Sequence, residues 1–255
     1  MALKNGLLHG VTVAALLAVV GCTSATDKAP ADKAAEQPAA EQPAAEAPAQ
    51  APPTEAEVAA AEAEWKVRQD KVNQVLASMD RAQFIGDSPV KGNPKAEVVV
   101  VKFSDFECPF CAVAAAHMKD FVAEREDEVL YVYKHFPLKS IHPEAESASK
   151  ASWAAAQQDQ FWIYHNGLFA NQDRLGDALY VELAEQIGLD VEQFNRDRNS
   201  DTAQAAIDAD MALVQQLELR GTPSFLMGGL LIPQGVPTES FGELLDNLKA
   251  TQVSQ

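Results

Sequence analysis

Hydrophobic residues along the chain switch between the two periods that are typical of strands and helices. Four consecutive valines at 98–101 predict a strand buried on both faces of a sheet, and residues 112–122 follow with helical composition. A second strand is predicted at 129–135, and residues 142–220 are helical throughout, with Asp190 and Asp201 as expected N-caps. Two short strands then flank a Gly-Gly turn before a last helix near Thr238. This order predicts an α/β fold with a helical insertion.

Residues 54–85 are predicted to form an N-terminal amphipathic helix. Thr54, with Glu57 three residues later, has the pattern of a capping box. Apolar residues then recur every seven positions, at Val58, Trp65, Val72 and Met79. The second apolar heptad position is less regular, because Arg68 falls in it. This stripe must be buried, either against the rest of the chain or against a second copy in a homodimer through 58–79.

The first 22 residues have the composition of a bacterial secretion signal, with Lys4 ahead of an apolar core that is too short to span a membrane comfortably. The core ends in Val-Val-Gly-Cys, which resembles a lipoprotein box, so Cys22 is predicted to carry lipid. The alternative is an ordinary cleaved signal with a chance cysteine. Because Thr23 rather than Asp follows, analogy with enteric lipoprotein sorting favours the outer membrane over the inner.

Residues 23–53 are rich in Ala, Pro, Glu and Gln and contain no aromatic or large aliphatic residue. Such a segment cannot bury enough surface to fold, so a disordered linker is predicted. A Pro-rich chain extends by about 3.1 Å per residue, which gives this tether a reach of roughly 90 Å. We expect it to hold the following domain away from a membrane.

The strongest chemical signal is the pair Cys108 and Cys111, placed between the valine strand and the following helix. Pro109 suits the first turn of that helix. A sulfur at a helix N-terminus faces free backbone N–H groups and the positive end of the helix dipole, which favour the thiolate. The thiolate is the reactive form in disulfide exchange. Cys111, one turn further on, is placed to resolve a mixed disulfide.

Composition excludes some binding partners, and the spacing of Cys and His residues argues against a zinc site. The net charge of −17 argues against nucleic acid and against anionic membrane surfaces as partners. A zinc site needs four ligands, and no second Cys-X-X-Cys or closely spaced His pair accompanies the cysteines. No cofactor is expected. A purely structural disulfide remains the simplest competing interpretation.

Several stretches together resemble the DsbA family of bacterial thiol–disulfide oxidoreductases, in a lipoprotein-tethered form. The matching stretches are FSDFECPFC at 103–111, KHFPL at 134–138, QFW at 160–162, GLD at 188–190 and GTPSF at 221–225. The resemblance implies a thioredoxin-like α/β fold for residues 86–255, with an inserted helical domain at about 142–220. The disordered linker and the N-terminal helix precede it.

The resemblance also implies roles for individual residues. Cys108 is the expected nucleophile and Cys111 the resolving cysteine, and a loop with a cis peptide bond before Pro223 faces them. The residues expected to contact substrate are Pro109, Phe110 and Thr222.

One position departs from the family pattern. Relatives often carry an acidic residue six positions before the first cysteine, where this chain has Lys102. A cation that points inward favours the Cys108 thiolate. A lysine that snorkels to the surface leaves any role in proton transfer open.

These observations predict a lipid-anchored periplasmic enzyme that exchanges disulfides with cysteine-containing envelope proteins and is reset by an unidentified redox partner. An oxidase is favoured over a reductase or isomerase. The alternative from a different class is a non-catalytic lipoprotein that binds a peptide or a soft metal such as Cu(I). Only His117 and Met118 lie near the cysteines in sequence, which counts against a metal carrier.

Overall fold

The computed structural model of the protein describes residues 54–253. One mixed sheet contains five strands in the order β1–β3–β2–β4–β5. These strands are Val90–Gly92 (β1), Val98–Ser104 (β2), Val129–His135 (β3), Ser224–Met227 (β4) and Leu230–Ile232 (β5). Strands β2 and β3 are parallel, whereas β1–β3, β2–β4 and β4–β5 are antiparallel.

Helices pack against both faces of this sheet. Several of them form the long connection between β3 and β4. The helices are Glu55–Ala77 (α1), Arg81–Ile85 (α2), Pro109–Glu124 (α3), Ala145–Ala156 (α4), Phe161–Ala170 (α5), Asp177–Gln186 (α6), Val191–Arg198 (α7), Asp201–Gln216 (α8) and Phe241–Val253 (α9). Short 3₁₀ turns lie at Gln172–Arg174 and Thr238–Ser240. The predicted thioredoxin-like α/β fold with a helical insertion is confirmed.

The valine strand lies at the centre of the sheet and supplies side chains to both faces. Val98 and Val100 belong to one hydrophobic cluster, together with residues of α3 and α9. Val101 and Phe103 belong to a second cluster, together with residues of α1 and α8. Because successive strand residues point to opposite faces, a continuous apolar run is what a doubly covered strand needs.

Helices α4–α7 of the insertion share a third hydrophobic cluster, which also includes Phe106 and Tyr133. Its small residues lie mostly on α4, where alanines allow neighbouring helices to approach closely. The buried residues of this core include Ala148, Ala151, Ala154, Phe161, Tyr164, Tyr180 and Phe194. Most aromatic residues of the segment therefore pack in a core, as the sequence predicts.

Two predicted helix caps have different outcomes. The Asp190 side chain accepts the backbone N–H of Gln193 at 2.9 Å, so this cap is confirmed. The prediction for Asp201 was wrong, because the N-cap of α8 is Ser200, whose hydroxyl accepts the N–H of Ala203 at 3.1 Å. Asp201 instead occupies the first turn, where a carboxylate still interacts favourably with the helix dipole.

Helix α1 begins with the predicted capping box. Thr54 donates its backbone N–H to the Glu57 carboxylate at 2.7 Å, and the Glu57 N–H returns to the Thr54 hydroxyl at 3.3 Å. Within the described residues, those up to Glu64 belong to one compact unit and those from Trp65 onward belong to another.

From Trp65 onward, α1 covers the edge strand β5. The Gln69 amide donates to the carbonyl of Gly229 at 2.8 Å and accepts the N–H of Leu231 at 2.7 Å. The Trp65 indole N–H donates to the Leu231 carbonyl at 3.2 Å. Side chains thus provide the hydrogen bonds that a further strand would make, which protects an edge otherwise open to pairing.

From Trp65 onward, the apolar stripe of this helix packs against the sheet. Val72 is fully buried, and Trp65 and Met79 pack against the two clusters of the sheet. Packing against the parent domain was one of the two expected outcomes for this stripe. A homodimer through 58–79 remains a prediction.

Candidate active site

Cys108 lies where the chain leaves the sheet and enters α3. It is the N-cap residue of the helix, with φ −74° and ψ 121°, and Pro109 is the first helical residue. The Cys108 carbonyl accepts the N–H of Cys111 at 3.0 Å. The Cys108 sulfur therefore occupies the position of a capping side chain, where free backbone N–H groups are available.

The two sulfurs differ in their affinity for a proton. The pKa of Cys108 is lowered to about 5, above all by the hydrogen bond from Cys111, with smaller contributions from Thr222 and from the backbone of Cys111 and Phe110. The pKa of Cys111 is raised instead, because its thiol is buried and hydrogen-bonded to Cys108. At neutral pH the pair is therefore a Cys108 thiolate beside a Cys111 thiol.

The loop before β4 faces Cys108. Its Thr222–Pro223 peptide bond is cis, as the family resemblance implies. The carbonyl oxygen of Thr222 lies 3.5 Å from Cys108 Sγ. Ser224, at the start of β4, pairs with Phe103 of β2, so the sheet holds this loop beside the cysteine turn.

Lys102 points inward and is fully buried, so the first of the two alternatives for this residue is the observed one. Its Nζ donates to the carbonyl oxygen of Cys111 at 2.9 Å and lies 5.0 Å from the centre of the Phe169 ring. Burial lowers the pKa of Lys102 to about 8, although the two cysteines favour its charged form.

Asp105 connects the cysteine turn to the loop after β3. Its backbone N–H points at Cys111 Sγ from 3.5 Å. Its buried carboxylate accepts the N–H of Leu138 at 2.8 Å and lies 2.8 Å from Nδ1 of His142. It also accepts the N–H of Glu107 at 2.8 Å, so one carboxylate fixes both segments. The sequence stretch contained Asp105, but nothing in its spacing indicated this role.

Gln172 supports the turn from the helical insertion. Its side-chain amide donates to the carbonyl of Phe106 at 2.6 Å and to the carbonyl of Cys108 at 3.0 Å. Sequence reasoning missed this residue, because no motif distinguishes it from the other glutamines of the insertion.

Exposed apolar side chains lie close to Cys108 in the sequence, on the first turns of α3. Phe110 is 73 % exposed and Val113 is 58 % exposed, one turn apart on α3. Pro109 is exposed as well, whereas Cys108 is only 4 % exposed. These side chains are therefore available to a partner that approaches Cys108 from the side of α3.

The structure brings together the predicted residues Cys108, Cys111, Pro109, Thr222 and Pro223. Cys22, the predicted lipidation site, lies outside the described residues. Within residues 54–253, no group of three or more His, Cys, Asp or Glu side chains is arranged to hold a metal ion.

A family model described as thioredoxin matches residues 85–247. The match includes both cysteines and the Thr222–Pro223 loop. The chain belongs to the thioredoxin family. The resemblance to DsbA-like proteins is confirmed, and with it the class of enzyme, a thiol–disulfide oxidoreductase.

Solved structures agree with this fold. A thioredoxin-like oxidoreductase from Silicibacter pomeroyi DSS-3 is 30% identical and superposes with a TM-score of 0.61, covering 68% of this chain and 99% of that one. The thiol-disulfide exchange protein alpha-DsbA2 from Wolbachia pipientis is 22% identical with a TM-score of 0.63, covering 73% of this chain and 98% of that one. At the lower identity, the second likeness shows the fold alone.

Among curated proteins, the chain is similar to part of a much longer membrane transporter. It is 35% identical over 142 residues to the Na(+)/H(+) antiporter NhaA 1 of Mycobacterium sp. (strain KMS), which is 55% of this chain and 23% of the relative. The chain thus spans less than a quarter of that relative. Within residues 54–253, no helix is long and apolar enough to cross a membrane. The match carries no ion transport to this thioredoxin-family chain.

Proposed function

We propose that this thioredoxin-family enzyme donates its Cys108–Cys111 disulfide to cysteine-containing proteins of the cell envelope. The observation that carries the proposal is the difference between the two sulfurs, with a stabilised thiolate at the helix N-cap and a buried thiol behind it. A stabilised thiolate lowers the free energy of the reduced enzyme, so the disulfide becomes a stronger oxidant.

The reaction follows from the positions of the sulfurs. A substrate thiolate attacks Sγ of Cys108 in the disulfide, and the Cys111 sulfur leaves and takes up a proton, since its pKa is raised. A second substrate thiolate then attacks the substrate sulfur of the mixed disulfide. Cys108 leaves as a thiolate, which its lowered pKa makes a good leaving group. The substrate loses two electrons and the enzyme gains them.

The substrate segment is expected to lie between the Thr222–Pro223 loop and the exposed apolar surface of α3. An extended peptide can pair with the backbone of Thr222 in the manner of an added strand. Phe110 and Pro109 then contact apolar side chains of the substrate, since both are exposed beside Cys108. This arrangement favours unfolded or extended substrate segments over compact ones.

The same proposal places the enzyme in the periplasm, held by lipid on Cys22 with the outer membrane favoured, and reset by a redox partner that reoxidises the pair. The Pro-rich composition of residues 23–53, which lie outside the described residues, supports an extended tether for the anchored enzyme.

Cysteine variants test the exchange chemistry. We expect Cys108→Ser to abolish oxidation of a reduced, unfolded model protein, because no sulfur remains at the helix N-terminus to form the mixed disulfide. Cys111→Ser should instead accumulate mixed disulfides, visible as cysteine-dependent high-mass species on non-reducing gels. Equal exchange activity of wild type and Cys108→Ser would refute the proposal.

The direction of exchange is tested by the reduction potential of the pair in glutathione buffers. A value near about −120 mV is expected for a disulfide donor. A value near about −270 mV would make the protein a reductase that needs a supply of electrons, and would overturn the oxidase assignment.

A further inference from the structure

Lys102 is a buried amine without a carboxylate partner. Within residues 54–253, the hydrogen-bond partner of its Nζ is the carbonyl oxygen of Cys111 at 2.9 Å, and no ion pair is formed. The nearest acidic side chain in sequence, Asp105, is engaged by His142 and by backbone N–H groups instead. A buried ammonium group is costly unless an opposite charge lies nearby.

The titratable groups packed around Lys102 supply no such charge apart from the cysteines. Tyr133 is its neighbour in register on β3, and burial raises the pKa of that phenol well above its usual value. His165, from α5, is kept neutral because burial and the Lys102 charge lower its pKa to about 3. Negative charge on Cys111 or Cys108 favours protonated Lys102, and at neutral pH the charged sulfur is that of Cys108. The charge state of Lys102 therefore depends on the redox state of the pair.

In the reduced protein, the Cys108 thiolate offsets the charge of an ammonium group at Lys102. In the oxidised protein both sulfurs are neutral, and only the unfavourable effect of burial remains. The proton on Lys102 is consequently held more weakly once the disulfide forms.

We propose that Lys102 is a redox-linked proton carrier, which takes up a proton when the disulfide is reduced and releases it when the disulfide forms. This inference rests on the proposed disulfide exchange. A substrate dithiol supplies two electrons and two protons. The electrons break the Cys108–Cys111 bond, one proton goes to the Cys111 sulfur, the other goes to the Lys102 amine, and Cys108 remains a thiolate. Transfer of a disulfide then releases no proton to solvent.

The test is the pH dependence of the equilibrium between the protein and glutathione. Two glutathione thiols release two protons when they reduce the enzyme. If the enzyme takes up both, the equilibrium constant is independent of pH over the range of about 6.5 to 7.5. The measurement stays below about pH 8, because above that value the glutathione thiols, like Lys102 in the reduced protein, begin to lose their own protons.

Two substitutions at Lys102 should each make the equilibrium constant depend on pH near neutrality, for different reasons. Lys102→Met cannot take up a proton, and Lys102→Arg keeps its proton in both redox states. In each variant the enzyme takes up one proton, so the equilibrium constant rises by about tenfold per pH unit between about pH 6.5 and 7.5. Lys119→Met, at an exposed position on the same helix as the cysteines, is the matched control and should keep the wild-type profile.

The outcomes separate this inference from the proposed function. If the wild-type protein exchanges disulfides but its equilibrium constant with glutathione rises tenfold per pH unit through neutral pH, the proposed role of Lys102 is wrong. A flat profile retained in Lys102→Met would also overturn that role, because another group would then take the proton. If the variants fail to fold, the wild-type profile between about pH 6.5 and 7.5 still decides. A protein that exchanges no disulfide with glutathione would refute the proposed function instead.

Discussion

Two lysines are buried on adjacent parallel strands of the same sheet, and their surroundings differ. Lys134 on β3 forms an ion pair with Asp210 at 3.0 Å and donates to the carbonyl of Ile85 at 3.0 Å. Lys102 on β2 has a backbone carbonyl and an aromatic ring as its neighbours.

The difference separates a structural charge from one that responds to chemistry. The Asp210 carboxylate also accepts the N–H of His135 at 2.8 Å, so the pair with Lys134 ties α8 to the end of β3 permanently. Within residues 54–253, no carboxylate pairs with Lys102, and the group that can offset its charge is the thiolate that appears on reduction. A buried amine is thus stabilised in one region by the fold and in the other by the redox state.

The largest effect on stability is expected when the Lys134–Asp210 ion pair is broken. Asp210→Asn keeps the shape of the side chain but leaves Lys134 as an unpaired buried charge. We expect a loss of about 3–5 kcal/mol in the free energy of unfolding, measured by urea denaturation of the oxidised protein at neutral pH.

Lys102→Met gives the corresponding stability measurement for the other buried lysine. In the oxidised protein it removes a buried amine that lacks a counter-charge, so we expect stability equal to or above that of wild type. If this variant loses as much stability as Asp210→Asn, Lys102 is held by a permanent interaction and the contrast between the two lysines fails.

The sequence did not distinguish the two lysines. Each follows a run of apolar residues in a predicted strand, and the partner of Lys134 lies on a helix predicted from local signals alone. An ion pair between residues far apart in the chain depends on how α8 packs against β3, and no local pattern records that packing. Burial of Lys102 was one of two alternatives for the same reason.

The strands and the cysteine turn were predictable because their signals are local. The valine run, the Gly-Gly turn and Cys-X-X-Cys before a helix each need only neighbouring residues. Helical composition gives no direction, and the apolar residues Phe110 and Val113 of α3 are exposed. Gln172 had no signal at all, since its contact with the turn depends on how the insertion folds back.

Another prediction concerns the pH dependence of stability, since each lysine has a buried histidine near it. Burial lowers the pKa of His135 and of His165 to about 3 from 6.5, with smaller contributions from Lys134 and Lys102 respectively. Below pH 6.5 the unfolded chain binds protons that the folded chain excludes, so stability falls as pH decreases from about 6.5 toward about 3. Each histidine contributes a slope of about 1.4 kcal/mol per pH unit.

Urea denaturation at several pH values checks this slope. His165→Phe retains an aromatic ring in the buried cluster but cannot be protonated, so it should lower the slope by the share of one histidine. His135→Phe should do the same, and the double variant should lose both contributions. A slope unchanged in both single variants would mean that carboxylates alone cause the acid sensitivity.

The smallest effect concerns the other donor to the cysteine turn. Lys102 holds the carbonyl of Cys111, and Gln172 holds the carbonyls of Phe106 and Cys108. Gln172→Leu removes neutral hydrogen bonds worth about 1 kcal/mol, so we expect the pKa of Cys108 to rise by less than about one unit.

Gln172→Glu is the sharper variant of the pair, because a carboxylate opposes the same two carbonyl oxygens and adds negative charge near the thiolate. The pKa of Cys108, followed by the ultraviolet absorbance of the thiolate, should therefore rise more in Gln172→Glu than in Gln172→Leu. A residue that only stabilises the fold would change the urea midpoint and leave this pKa unchanged. If both variants keep the wild-type pKa, Gln172 holds the insertion in place without tuning the cysteine, and Lys102 is the donor at the turn that matters for the chemistry.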